Sequence, residues 1–158
     1  MRFLMPCLTI SLAAALSLAS SPTALAQTAQ RQLYKMSLGL QQDLEAHQLD
    51  SAQVEGLVNA IARGLAANDL GPILDQATAN LRVTDGSKNV EIKKDQLAQY
   101  QKKLLSVPDL GKSVTDDDEV IIKGNEVGLA RGTFWIAQTC LDDACSKKKS
   151  ALVTINLP

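Results

Sequence analysis

The sequence predicts an α+β domain in which helices cover one face of a curved antiparallel sheet. Three observations carry this. Apolar residues recur at helical spacing between residues 50 and 68. Two stretches between residues 79 and 92 then alternate apolar and polar positions around an Asp-Gly pair. The last third is a series of alternating segments separated by turn residues. The order is helix, helix, hairpin, helix and then a meander, which favours α+β over a parallel α/β arrangement.

The first 26 residues have a different character. Arg2 precedes an apolar run of 12 residues, Leu8–Ala19, followed by Ser20, Ser21, Pro22 and the small-x-small triplet Ala24-Leu25-Ala26. This order reads as a secretory signal peptide cleaved after Ala26. The apolar run is too short for a membrane span, which needs roughly 20 residues. Cys7 precedes the apolar run, so lipid anchoring is not expected. The localisation predicted is periplasmic. The remaining 132 residues hold 15 basic and 17 acidic side chains, enough chain for one domain. That balance points neither to nucleic acid nor to an anionic membrane as partner.

Residues 27–49 read as a helical or loosely ordered leader with Leu33, Met36, Leu40 and Leu44 at helical spacing; the folded domain is expected over residues 50–158. The only histidine, His47, lies near the end of that stripe and reads as a surface residue. Asp50 opens the next helix, with Gln53 in position for a capping box. Val54, Leu57, Val58, Ile61 and Leu65 follow the i, i+3, i+4 rule, and Asn68 ends the helix. Asp69 is expected to cap a short second helix holding Pro72, Ile73 and Leu74. Ala79, Leu81 and Val83 then alternate with Asn80, Arg82 and Thr84. Asp85-Gly86 marks a turn, and Val90 and Ile92 resume the alternation: a β-hairpin. Asp95 starts a third helix with Leu97, Tyr100 and Leu104 on one face. Pro108 and Gly111 punctuate a loop, and a short strand is expected through Val114. Glu119–Lys123 is a strand, Gly124-Asn125 a two-residue turn, and Val127–Thr139 and Ser150–Leu157 complete a meander.

Cys140 and Cys145 are the two cysteines left after cleavage. A zinc site needs three or four ligands, and the only histidine is far upstream. A redox pair favours Cys-x-x-Cys at a helix start, whereas here Asp142 and Asp143 lie between the thiols and oppose thiolate formation. A disulfide is the reading retained. If the two cysteines face each other across a hairpin, Phe134 meets Ala151, Gly132 meets Val153, Ala130 meets Ile155 and Gly128 meets Leu157. One face then carries Ala130, Phe134, Ile136, Ala151, Val153, Ile155 and Leu157.

The stretch NDLGPILDQATANLRV (Asn68–Val83), the hairpin and short helix after it, and GNEVGLARGTFWI (Gly124–Ile136) resemble the nuclear transport factor 2-like superfamily, the cystatin-like cone fold. The likeness is greatest to its small exported bacterial members, and it covers roughly Ser51–Pro158. It implies a curved sheet wrapped around a long N-terminal helix, a cone mouth that takes a small apolar molecule, and dimerisation through the sheet. The superfamily's isomerases, dehydratases and SnoaL-type cyclases work with an Asp, or an Asp with His or Tyr, inside the cone. Here His47 lies upstream of the matched region, and Asp69 and Asp75 read as helix cap and helix surface.

Three residues are candidates for ligand binding. Trp135, sharing a face with Arg131 and Thr133 opposite Phe134, is suited to stack on a ligand or anchor an interface; ordinary packing is the alternative. Arg131 is suited to a carboxylate, the alternative being a surface pair with Glu126 or Glu119. Tyr100 is suited to donate a hydrogen bond into a pocket, or simply completes an amphipathic helix. Asp116–Glu119 lacks the spacing of a calcium loop and reads as a solvated acidic loop. Lys147–Lys149 reads as edge protection. No cofactor, metal site or catalytic constellation is implied. The function expected is an exported, non-catalytic small-molecule-binding or protein-interaction domain. The alternatives are an acid–base enzyme in the same cone, and an inhibitor or immunity protein acting through a loop such as Ser106–Asp118.

Overall fold

The structure, a computed structural model, describes residues 33–158. The signal peptide predicted over residues 1–26, and leader residues 27–32, lie outside the described residues. Helix α1 spans Leu38–Ala46, with the Ser37 hydroxyl accepting from the Leu40 N–H at 3.3 Å. Helix α2 spans Ser51–Ala67. The Asp50 carboxylate accepts from the Gln53 N–H at 3.0 Å, and the Gln53 amide donates to its other oxygen at 2.8 Å. Val54, Leu57, Val58, Ile61 and Leu65 are all buried, and Asn68 ends the helix in the left-handed region. Helix α3, Gly71–Leu74, follows; the Asp69 side chain accepts from the Gly71 N–H at 2.9 Å. Asp69 therefore caps the turn leading into α3, and the residue at the N-cap position is Leu70.

Strands β1 (Ala77–Asp85) and β2 (Lys88–Lys93) form the first hairpin, with Gly86 at φ +59° in its turn. A 3-10 segment, Lys94–Tyr100, leads into α4, Gln101–Leu105, so the predicted third helix starts as the tighter form; Leu97 and Leu104 are its fully buried residues. The strand expected through Val114 is instead the end of a helix: α5 spans Leu110–Ser113, and Val114 is its buried C-cap. Apolar burial of one residue, without alternation around it, does not specify a strand. A 3-10 turn at Asp117–Glu119 precedes β3 (Ile121–Lys123), so Glu119 lies before the strand rather than in it.

Strands β4 (Glu126–Leu129), β5 (Phe134–Cys140) and β6 (Lys148–Leu157) complete the meander. The predicted strand Val127–Thr139 is thus two strands. Ala130, Arg131 and Gly132 all have positive φ and turn the chain, so Arg131 leaves the sheet face that holds Trp135. The six strands form one curved sheet in the order β2-β1-β6-β5-β4-β3. It is mixed, not antiparallel, because β1 runs parallel to β6. The helical crossover between β2 and β3 brings the meander back in that direction, and side-chain alternation carries no information about strand direction.

The register of β5 on β6 also differs from the prediction. Cys140 and Cys145 do form a disulfide, with Cα atoms 4.7 Å apart. But Cys145 lies in the connecting loop at φ +52°, and Cys140 pairs with Lys148. Ala137 pairs with Ala151, and Phe134 with Ile155. Between them the register shifts, leaving Val153 as an extra residue opposite the Trp135–Ile136 step. This bulge switches the core face of β6 from Leu152 to Ile155 and Leu157, and excludes Val153. Ala130 is buried, but in the turn. The buried face of α2 packs with Leu81, Val83, Ile92, Phe134, Ile136, Leu152 and Ile155 in one cluster, which also includes Met36, Leu44 and Leu49 from the leader.

Candidate functional site

An extended strap, residues 33–37, runs into α1 and has no strand beside it among the described residues. Its backbone polar groups therefore need side-chain partners. Asn59, on α2, accepts from the Tyr34 N–H at 2.9 Å and donates to the Tyr34 carbonyl at 3.0 Å. Glu55, one turn earlier, accepts from the Met36 N–H at 2.9 Å. Gln41 donates to the Met36 carbonyl at 3.0 Å. Asp117 closes the strap from the other side: one carboxylate oxygen accepts from the Tyr34 hydroxyl, the other from the Ser37 N–H at 2.9 Å.

These contacts perturb two titrations. Burial pushes the Tyr34 hydroxyl far above its usual range, helped by its hydrogen bond to Asp117 and by the negative charges of Asp117 and Glu55. Burial works against the charged form of Asp117 too, but hydrogen bonds from Ser37 and Tyr34 outweigh it and hold the carboxyl below its usual value.

Beside this clamp lies an open groove of about 600 Å³, lined by Ser37, Gly39, Leu40, Asp43 and His47 from the strap and α1, and by Asp117, Asp118, Val120 and Ile122 from the segment entering β3. Leu40, Val120 and Ile122 supply its apolar surface. Three carboxylates, one histidine and Ser37 supply its polar surface, and no lysine or arginine among the described residues lines it. His47 caps α1, and its Nδ1 lies 2.8 Å from the Asp43 carbonyl, which can only accept. A neutral ring therefore carries its proton on Nδ1 and presents Nε2 as an acceptor. No group of three or more histidine, cysteine or carboxylate side chains is arranged to hold a metal ion among the described residues.

The three residues singled out from sequence are not brought together. Tyr100 is half-buried at the end of the 3-10 segment that packs against β1 and β2. Arg131 is in the β4–β5 turn, where its guanidinium pairs with Glu119 at 2.5 Å and its N–H donates to the Glu119 carbonyl at 3.0 Å. The Ser113 hydroxyl and then Arg131 hold the Glu119 carboxyl below its usual range, against partial desolvation. Trp135 lies on the sheet face opposite Phe134 and packs over glycine backbone. A Cβ on Gly128 would meet its ring at 3.1 Å, and one on Gly132 at 3.3 Å.

The acidic stretch Asp116–Glu119 is not simply solvated, since Asp117 pins the strap. Nothing local marks Asp117 among its neighbours, and its partners lie 80 or more residues away in sequence. The Ser37 cap and the Leu40 and Leu44 spacing were the available signals for α1. Among the described residues no helix is long and apolar enough to cross a membrane. Comparison with protein-family models, curated proteins and solved structures finds no match for the chain.

Proposed function

We propose that this chain is an exported, non-catalytic interaction domain on a cone-type fold of the nuclear transport factor 2-like kind, and that it binds a partner protein through the groove between α1 and β3. Export is supported by the charge, apolar run and small-residue triplet of residues 1–26 and by the paired cysteines, since disulfides persist in oxidising compartments. Thiol titration of the exported protein is expected to find no free thiol before reduction; two free thiols would place it in a reducing compartment.

The observation that carries the reading is where the side chains have been spent. The space between α2 and the sheet is filled by Phe134, Leu44, Ile61, Ile73, Leu81, Ile136 and Leu152, each fully buried, and Ser150 is the one buried polar residue among the described residues. An enclosed ligand or an internal acid–base group needs room and polar partners in that layer. The open, mixed apolar and polar surface is on the outside, beside an edge strand. Of the five large apolar residues left exposed among the described residues, two, Leu38 and Ile121, belong to the elements that wall the groove.

The test is photo-crosslinking in the cell that exports the protein. Leu38→p-benzoyl-phenylalanine on α1 is expected to give a discrete, light-dependent adduct. The same substitution at Glu91, on the opposite edge strand β2, is expected to give none. Absence of an adduct at Leu38, or identical adducts at both positions, would reject the groove as the interaction site.

A further inference from the structure

The sheet ends at β3, whose second edge has no strand neighbour among the described residues. The β3–β4 hairpin has a two-residue turn, with Lys123 opposite Glu126, Ile122 opposite Val127 and Ile121 opposite Gly128. In such a hairpin the residues flanking the turn exchange hydrogen bonds, and the next pair does not. Ile122 therefore directs its N–H and C=O away from β4, toward the open edge. Its side chain lines the groove, as do those of Val120 and Leu40. A backbone donor and acceptor that are unpaired among the described residues thus lie directly beside an apolar surface.

The charge that lines that surface is one-sided among the described residues. Asp117 is occupied by Tyr34 and Ser37. Asp43 and Asp118 are exposed and make no ion pair with any described residue. The nearest cation along β3, Lys123, lies at the turn end of the strand and outside the lining.

We propose that the partner segment is an extended, basic and apolar stretch of polypeptide that adds a strand to the open edge of β3. Its backbone pairs with Ile122, an apolar side chain rests on Leu40, Val120 and Ile122, and a lysine or arginine comes within reach of Asp43 and Asp118. This is strand addition, in which main-chain hydrogen bonds supply affinity and alternate side chains supply specificity. The groove's openness favours it over a small molecule, which needs a concave site able to bury most of its surface. The carboxylates of Asp43 and Asp118, unpaired among the described residues, disfavour an anionic segment. The proposal rests on the interaction-domain reading above.

The experiment uses the full exported chain and three fluorescently labelled octapeptides, read by anisotropy. One alternates lysine and valine, one alternates glutamate and valine, and one is the lysine–valine peptide with alternate backbone nitrogens methylated. Saturable binding is expected for the first and not for the second. Methylation is expected to weaken binding on the order of tenfold, because it removes edge donors. Asp43→Asn with Asp118→Asn is expected to weaken it similarly, because two partly exposed pairs are lost. Both substitutions are at exposed positions, and an unchanged melting temperature will show that the fold is intact. The proposal is overturned if no peptide binds saturably, if methylation has no effect, or if the double variant binds as the parent does. A Leu38 crosslink that persists alongside any of these results would leave the interaction site standing and remove only the strand-addition chemistry.

Discussion

The layer between α2 and the sheet is closed by hydrocarbon, whereas the strap from Leu33 to Ser37, apart from its buried Met36, is held by side-chain hydrogen bonds reaching in from α2 and from Asp117. The first closure is non-directional. Any sequence that puts Val54, Leu57, Ile61, Leu81, Phe134 and Ile136 on facing surfaces achieves it, and each buried side chain stabilises by about 1.5–3 kcal/mol. The second depends on orientation and charge: one tyrosine, one aspartate, one asparagine and one glutamate in fixed relation. The groove borders the second region. Contacts of modest strength therefore set the polar part of its walls, at Ser37 and Asp117, while Leu44 anchors α1 in the core and the sheet carries Ile122.

The largest separation between the two regions comes from truncating the core. Phe134→Ala is expected to destabilise by about 3–5 kcal/mol, as a fully buried aromatic side chain replaced by a cavity. The denaturation midpoint measures it, and an unchanged midpoint would mean that Phe134 is not in the core. Next is Gly64→Ala. A Cβ there would lie 2.7 Å from the Asp69 carbonyl oxygen and 2.9 Å from Ile73. Backbone must shift to admit it, at a cost of about 3 kcal/mol, the upper end for overpacking. A stabilised Gly64→Ala variant would show that α2 and α3 are packed less closely than described.

The disulfide belongs to neither region and serves as a control. Removing it by Cys140→Ser with Cys145→Ser reopens a short loop, with an expected loss of about 2 kcal/mol on the chain-entropy account. Hydrogen exchange should rise at Gln138–Ser150, since this part of the hairpin extends past the last β4 pair at Ala137 and past the first β1 pair at Leu152. Increased exchange at Tyr34 or Met36 instead would mean that the hairpin supports the strap.

These contrasts also explain what was legible beforehand. The α2 stripe, the Asp50 and Asn68 ends, the Asp85-Gly86 and Gly124-Asn125 turns and the cysteine pair were all readable, because each is written in adjacent residues. The β5–β6 register was not. A cross-strand pairing of Cys140 with Cys145 predicts a different register, because Cys145 lies in the loop and the Val153 bulge shifts the register once more. The break at Ala130–Gly132 was equally hidden, because Ala130 and Arg131 adopt a left-handed backbone that their residue types do not advertise. Trp135 follows Phe134 within β5 and lies on the opposite face, as alternation requires, but the face it is expected to share with Arg131 is broken by that turn. The groove could not be read at all: its two walls, Leu40 with Asp43 and Val120 with Ile122, are joined by a tertiary contact that no short spacing encodes.

The smallest expected effect is also the most specific to the strap. Tyr34→Phe deletes one donor to Asp117 and should cost about 0.5–1.5 kcal/mol near neutral pH. The pH dependence identifies its origin. Tyr34 has a raised pKa in the folded chain, so its contribution is complete below the ordinary tyrosine value of about 10 and is lost as pH rises beyond it. Asp117 has a lowered one, so its contribution is complete above the ordinary aspartate value of about 4 and is lost as pH falls through the depressed value. The difference in melting temperature between the parent and Tyr34→Phe should therefore be flat across the neutral range and narrow at both extremes. The difference produced by Phe134→Ala, which touches no titrating group of the clamp, should show neither narrowing. A Tyr34→Phe difference that stayed constant into strong alkali would mean that the hydroxyl is not held by Asp117, and the polar wall of the groove would have to be redrawn.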